Sequence, residues 1–177
     1  MSTYALPKPD SFRTLSVADR AEILEHLFER SQALESLLYP EFANAVSYGD
    51  LIEHARTALL TLTAESRANT SAKANLLEIL AAHPRLGARK VDSVYSVQEQ
   101  ASLQGEAESL RVLNTEYEEK FPGLRYVVFV NGRPREVIME NMRQRIERGD
   151  YEKETLEALN AMCEIARDRA AKLGAQL

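Results

Sequence analysis

The segment HPRLGARKVDSVYSVQEQ, residues 83–100, places a histidine, a serine, a glutamate and a glutamine in one short stretch. An imidazole gives and takes a proton near neutral pH, and a carboxylate beside it makes the pair a general acid–base device. His83 ends an apolar-periodic run, because the residue before Pro84 is pushed out of the helical region. A histidine at a helix C-terminus has its protonated form favoured by the helix dipole. It can equally do no more than cap the last carbonyls of its helix. Ser96 and Glu99 have the spacing of a capping box, in which hydroxyl and carboxylate satisfy each other's backbone N–H groups. Gln100, next in line, is required by no cap. Helix punctuation and acid–base chemistry both account for these residues.

A second candidate lies late in the chain. At 100° per residue, Leu159, Met162, Cys163, Ala166, Ala170 and Leu173 form one apolar face, and Arg169 falls at its margin. An arginine there can lay its stem along the core with its head in water. It can also aim its planar fork into a pocket as a clamp for a carboxylate or imide.

The elements that must position these groups are helical. Ser16 opens SVADRAEILEHLFERS with Asp19 three residues on, and Val17, Ile23, Leu24, Leu27 and Phe28 recur at helical spacing. SQALESLLYPEFANAV reads as a short helix broken before Pro40. DLIEHARTALLTL and SAKANLLEILAAH are two more amphipathic helices. A long helix is expected from Ser96 to about Phe121, disturbed near Gly105. REVIMENMRQRIERGD is a helix stopped by Gly149, and Asp150 caps the last one. PGLRYVVFVNGRPR alone has strand character, with no partner strand, so it is expected to cross a helical body as an isolated extended segment. Pro7 and Pro9 mark residues 1–15 as an extended leader. The expectation is one all-α domain over residues 1–177.

Composition narrows the function. The 177 residues carry 22 Lys and Arg against 27 Asp and Glu, a net charge of −5, which argues against a nucleic-acid binder. With 45% hydrophobic and 28% charged residues the chain is globular in type. A single cysteine, Cys163, excludes a disulfide framework within the chain and a cysteine-based zinc site, and is expected as a small buried hydrophobe. His26, His54 and His83 do not pair at metal-ligand spacing, so no metal site is expected. The first residues lack a signal-type apolar segment, and no stretch approaches a membrane span. The terminal Ala-Gln-Leu loosely echoes the peroxisomal Ser-Lys-Leu address, so a cytoplasmic or peroxisomal location is expected.

Taken in order, His83-Pro84, Ser96-x-x-Glu99-Gln100 and Arg169 resemble the 2-oxo-4-hydroxy-4-carboxy-5-ureidoimidazoline (OHCU) decarboxylase family. The chain has HPRLG for the family's H-P-x-L-(G/A) turn and SVQEQ for its S-x-x-E-Q helix start. LNTEYEEKF is similar to the N-x-x-Y-x-x-K-F segment, and Arg145, Glu154, Ala158, Leu159, Ile165 and Arg169 fall at the family's C-terminal spacings. Three segments depart: PGLRYVVFV stands for Gly-Phe-Pro-Phe-Val, ASLQG for Ala-Gly-Leu, and ERSQALESLL is a loose counterpart of the N-terminal Ser-Pro-Trp signature.

The resemblance implies a compact multi-helix bundle, a homodimer, a small-molecule substrate, and no metal or organic cofactor. It implies decarboxylation of OHCU to (S)-allantoin in urate degradation, a part of purine metabolism. His83 would be the central acid/base with Glu99 its partner. Pro84, Ser96 and Gln100 would contact the substrate, Tyr126 and Val127 would supply backbone groups, and Arg169 would anchor polar ring atoms. The alternatives are a decarboxylase or lyase of the same fold acting on a related ureido or imidazoline acid, and a non-catalytic helical binding protein descended from the enzyme.

Overall fold

A computed structural model describes residues 4–87 and 97–177, with side chains over 4–87 and 106–177. The chain runs α1 (Val17–Leu27), α2 (Gln32–Leu38), α3 (Tyr48–Glu65), α4 (Thr70–Ala81), α5 (Val97–Lys120), α6 (Arg135–Arg148) and α7 (Tyr151–Lys172). Among the described residues there is no strand, and 124–130 is irregular chain without a ladder partner.

Sequence-local chemistry sets the helix starts. Ser16, Ser31, Ser47, Asn69 and Asp150 each accept the backbone N–H three residues on, at 3.0–3.2 Å, so α1, α2, α3, α4 and α7 begin where an N-cap is available. α6 stops at Gly149, whose φ of 64° is left-handed; a Cβ there would stand 2.9 Å from the Lys120 side chain. α5 runs unbroken through Gly105, contrary to the expected disturbance. One glycine costs a helix only about 1 kcal/mol and leaves every backbone donor in place, which a 24-residue helix absorbs.

α7 is the spine. Its buried face holds Leu159, Met162, Cys163, Ala166 and Ala170 as expected from the sequence, adds Ala158 and Ala161, and leaves the expected Leu173 half-buried. Small residues on that stripe let α3 lie close along it through Leu51, Ile52, Ala55 and Leu59, with α4 beyond and α1 at the far end of α7. α5 and α6 form a second pair and run in the same direction: Glu106 meets Arg135 towards their N-terminal ends, and Lys120 meets Gly149 at their C-terminal ends.

The leader is not extended throughout. Pro9–Thr14 forms a 3-10 helix. Phe12, 1% exposed, is the reason: its ring packs edge-on against Phe42 and Tyr48, and an extended chain could not bring it there while Tyr48 binds the Pro7 carbonyl.

Candidate active site

Five chain segments meet at a cavity of about 330 Å³: Glu29 beyond α1, the turn His83–Gly87 after α4, the irregular segment at Tyr126–Val130, Arg135 opening α6, and Ile165 and Arg169 of α7. Its size is at the small end of ligand pockets, roughly 300–1,000 Å³. Of the residues singled out in the sequence, His83, Pro84, Tyr126, Val127 and Arg169 all line it. Ser96 lies outside the described residues, as do the side chains of Glu99 and Gln100.

His83 is 4% exposed, whereas Pro84 stands at the open side. The turn that carries them is fastened at both ends. Arg125 donates to the carbonyls of Ala81 and His83, satisfying the C-terminal end of α4. Asn114 of α5 donates its side-chain amide to the Leu86 carbonyl at 3.1 Å. Between those two fastenings Arg85 turns outward to a two-pronged pair with Glu118, both contacts 2.8 Å.

The wall at Tyr126 and Val127 is held from α6. Arg145 donates to the Val127 carbonyl at 3.1 Å, and its guanidinium lies 4.6 Å from the Tyr126 ring centroid. Arg145 is in turn gripped by Glu154, which also accepts the Tyr117 hydroxyl. Burial works against charge on Arg145, but Glu154's hydrogen bonds and charge outweigh it and keep the guanidinium above its ordinary range. Burial first, and then Glu154's charge, push the Tyr117 phenol far above its usual value. Burial likewise pushes Tyr126 up to about 12, so it remains a donor at neutral pH. That hydroxyl is spent on Asn141 Oδ1 at 2.6 Å and the Ile138 carbonyl at 3.3 Å. Tyr126 therefore offers the cavity its backbone and ring rather than its hydroxyl.

Arg169 does not run out to solvent. It donates to the carbonyls of Leu27 and Phe28 at the end of α1 and pairs with Glu29 at 2.9 Å. These contacts use only part of its five N–H donors, so the same fork can fasten α1 to α7 and face a ligand.

The remaining candidates fall elsewhere. His26 stacks on the Tyr4 ring, centroids 3.8 Å apart, and His54 lies between Glu41 at 3.0 Å and Asp50 at 3.4 Å. No group of three His, Cys, Asp or Glu side chains among the described residues is arranged to hold a metal ion. Cys163 is fully buried, and burial pushes its thiol up to about 11, as suits a packing residue. No described helix is long and apolar enough to cross a membrane.

Glu29, Arg125 and Arg135 were not singled out in the sequence. Arg125 had a signal: a lone cation inside the apolar run LRYVV must find acceptors wherever that run is buried. Glu29 and Arg135 look like ordinary surface charges, and only tertiary structure brings them to the cavity.

An all-helical bundle whose histidine-bearing turn and arginine-bearing last helix close on one small cavity has a site sized for a small molecule rather than a groove for a polymer. The model of the OHCU decarboxylase family matches residues 13–171, and the chain belongs to that family of carboxy-lyases. A solved structure titled crystal structure of (S)-allantoin synthase shares the fold, with a TM-score of 0.64 and 19% identity over 94% of this chain. This chain spans about half of that one, 54%. No curated protein matches it.

Proposed function

We propose that this chain decarboxylates OHCU to (S)-allantoin in urate degradation, as a homodimer. The observation that carries the reading is the arrival of His83, Pro84, Tyr126, Val127 and Arg169 at one cavity from three distant parts of the sequence. Capping and packing would not bring that set together.

In the proposed reaction the bond from the ring to the carboxylate breaks and its electron pair is delocalised over the ring. One proton is taken up, and the carbon bearing the ureido group becomes the new stereocentre. Donors aimed at the developing charge lower such a barrier by about a few kcal/mol each. Arg169 has N–H groups to spare for that role. His83, buried and fixed by its turn, is the proton donor on one face, a contribution of about 10²–10⁴ in rate that also sets the (S) configuration. Glu99 as its partner, with Ser96 and Gln100 as substrate hydrogen-bonders, completes the proposal on the strength of the family resemblance.

The test is circular dichroism while OHCU is generated from urate by the two preceding reactions. Wild type is expected to raise the (S)-allantoin signal well ahead of the spontaneous reaction, and His83→Ala to lose that lead. A wild-type trace that follows spontaneous decay would overturn the substrate assignment and turn attention to related ureido acids.

A further inference from the structure

Three arginines line the cavity, and they are not equivalent. Arg85 is committed to Glu118 by two 2.8 Å contacts, and Arg169 to two carbonyls and Glu29. Arg135 is different. Among the described residues its guanidinium has one ion pair, Nε to Glu106 at 3.7 Å, which is beyond hydrogen-bond length. Its side chain is 36% exposed, against 4% for the whole of His83, so it stands on the solvent side of the cavity. Its Nη1 lies 3.8 Å from where a Cβ on Gly87 would be; Gly87 belongs to the turn that carries His83.

Its place in α6 sharpens the point. Arg135 is the first residue of the helix, and Pro134 before it supplies no side-chain cap. A cation there opposes the helix dipole, so local helix stability does not account for it. Its loose partner is itself 38% exposed and easily exchanged for another carboxylate. We infer that Arg135 is the residue that recognises the carboxylate of an incoming anionic substrate, at the mouth of the cavity and ahead of the buried histidine. The inference rests on the proposed function for the ligand's anionic character.

The chemistry limits what such a contact can do. A cation on the departing carboxylate favours the ground state and loses its partner as neutral CO2 forms. Arg135 therefore acts in substrate binding, lowering KM, and not in the bond-breaking step. Because the group is half-exposed, salt screens its pull.

The experiment is calorimetric titration of the full chain with two probes sharing a ring, neutral hydantoin and anionic hydantoin-5-acetate. Wild type is expected to favour the anion about tenfold, a preference weakened by added salt. Arg135→Gln should abolish the preference while leaving hydantoin affinity in place, and Arg135→Lys should retain part of it. A glutamine variant that keeps the wild-type preference overturns the inference, as does an equal loss for both probes, which is a structural effect. Wild type binding neither probe overturns it too. A chain that turns over OHCU yet shows no Arg135-dependent preference loses this inference alone. One that shows the preference without turning over OHCU loses only the proposed substrate.

Discussion

One terminal nitrogen of Arg125 donates to both the Ala81 and the His83 carbonyls, the latter at 3.2 Å, so a side chain from the irregular segment fixes the backbone of the buried histidine. Removing the donor releases the end of α4 and lets His83 drift. Arg125→Met is expected to cost about 1.5–3 kcal/mol, as for hydrogen bonds from a charged group. Displacement of an acid by about 1 Å should lower kcat by roughly 10²-fold with KM much less affected. Arg125→Lys should recover part of kcat, since a single ammonium can still reach one carbonyl. Urea melts beside steady-state assays decide it, and an unchanged kcat in Arg125→Met refutes the positioning role.

Arg145 and Glu154 are a buried ion pair, 5% and 0% exposed. Arg145→Met leaves the buried Glu154 carboxylate with only the looser, half-exposed Arg148 at 3.4 Å and the Tyr117 hydroxyl as partners, a loss of about 3 kcal/mol. Replacing both partners, Arg145→Met with Glu154→Leu, should cost less than the sum of the single changes, because no charge is stranded. Both variants free the Val127 carbonyl, so activity should stay low even where stability returns. Additive urea midpoints would show that the pair is not coupled as described.

Cys163 gives a pH signature. Its thiol is raised from 9.0 to about 11, chiefly by burial. Below pH 9 folded and unfolded chains both hold the proton, and its contribution is constant. Between pH 9 and 11 the unfolded chain gives it up while the folded chain keeps it, so stability falls as pH rises. The slope from this one group is about 1.4 kcal/mol per pH unit. Cys163→Ala should flatten that part of the curve in urea melts taken from pH 8 to 11. An alanine variant with the wild-type slope would assign the loss to other groups.

Period and local chemistry explain which parts of this fold can be read from the chain. The stripe from Leu159 to Ala170 repeats at helical spacing, and α7 buries it. The caps at Ser16 and Asp150 are settled within four residues, so those helix starts are visible locally, whereas the Ser47 cap, which starts α3 ahead of the expected Asp50, goes unread. Phe12 is not local: its ring is held by Phe42 and Tyr48, and only that cluster shows why the leader coils. His83 and Arg169 stand out through motif order, and both reach the cavity. Glu29 lines the cavity too but does not stand out in the sequence, because its partner Arg169 is 140 positions away and nothing in FERS marks it. Arg135 opens a helix as any exposed arginine does, and only the packing of α6 against α5 beside the turn gives it a view of the cavity.

The Arg169 bond to the Phe28 carbonyl joins residues 141 positions apart. Closing so long a loop is entropically uphill until the helices between have condensed. The cavity wall it completes therefore exists only where the two ends of the chain have met. Helix content alone does not report this site; the joining of α1 to α7 does.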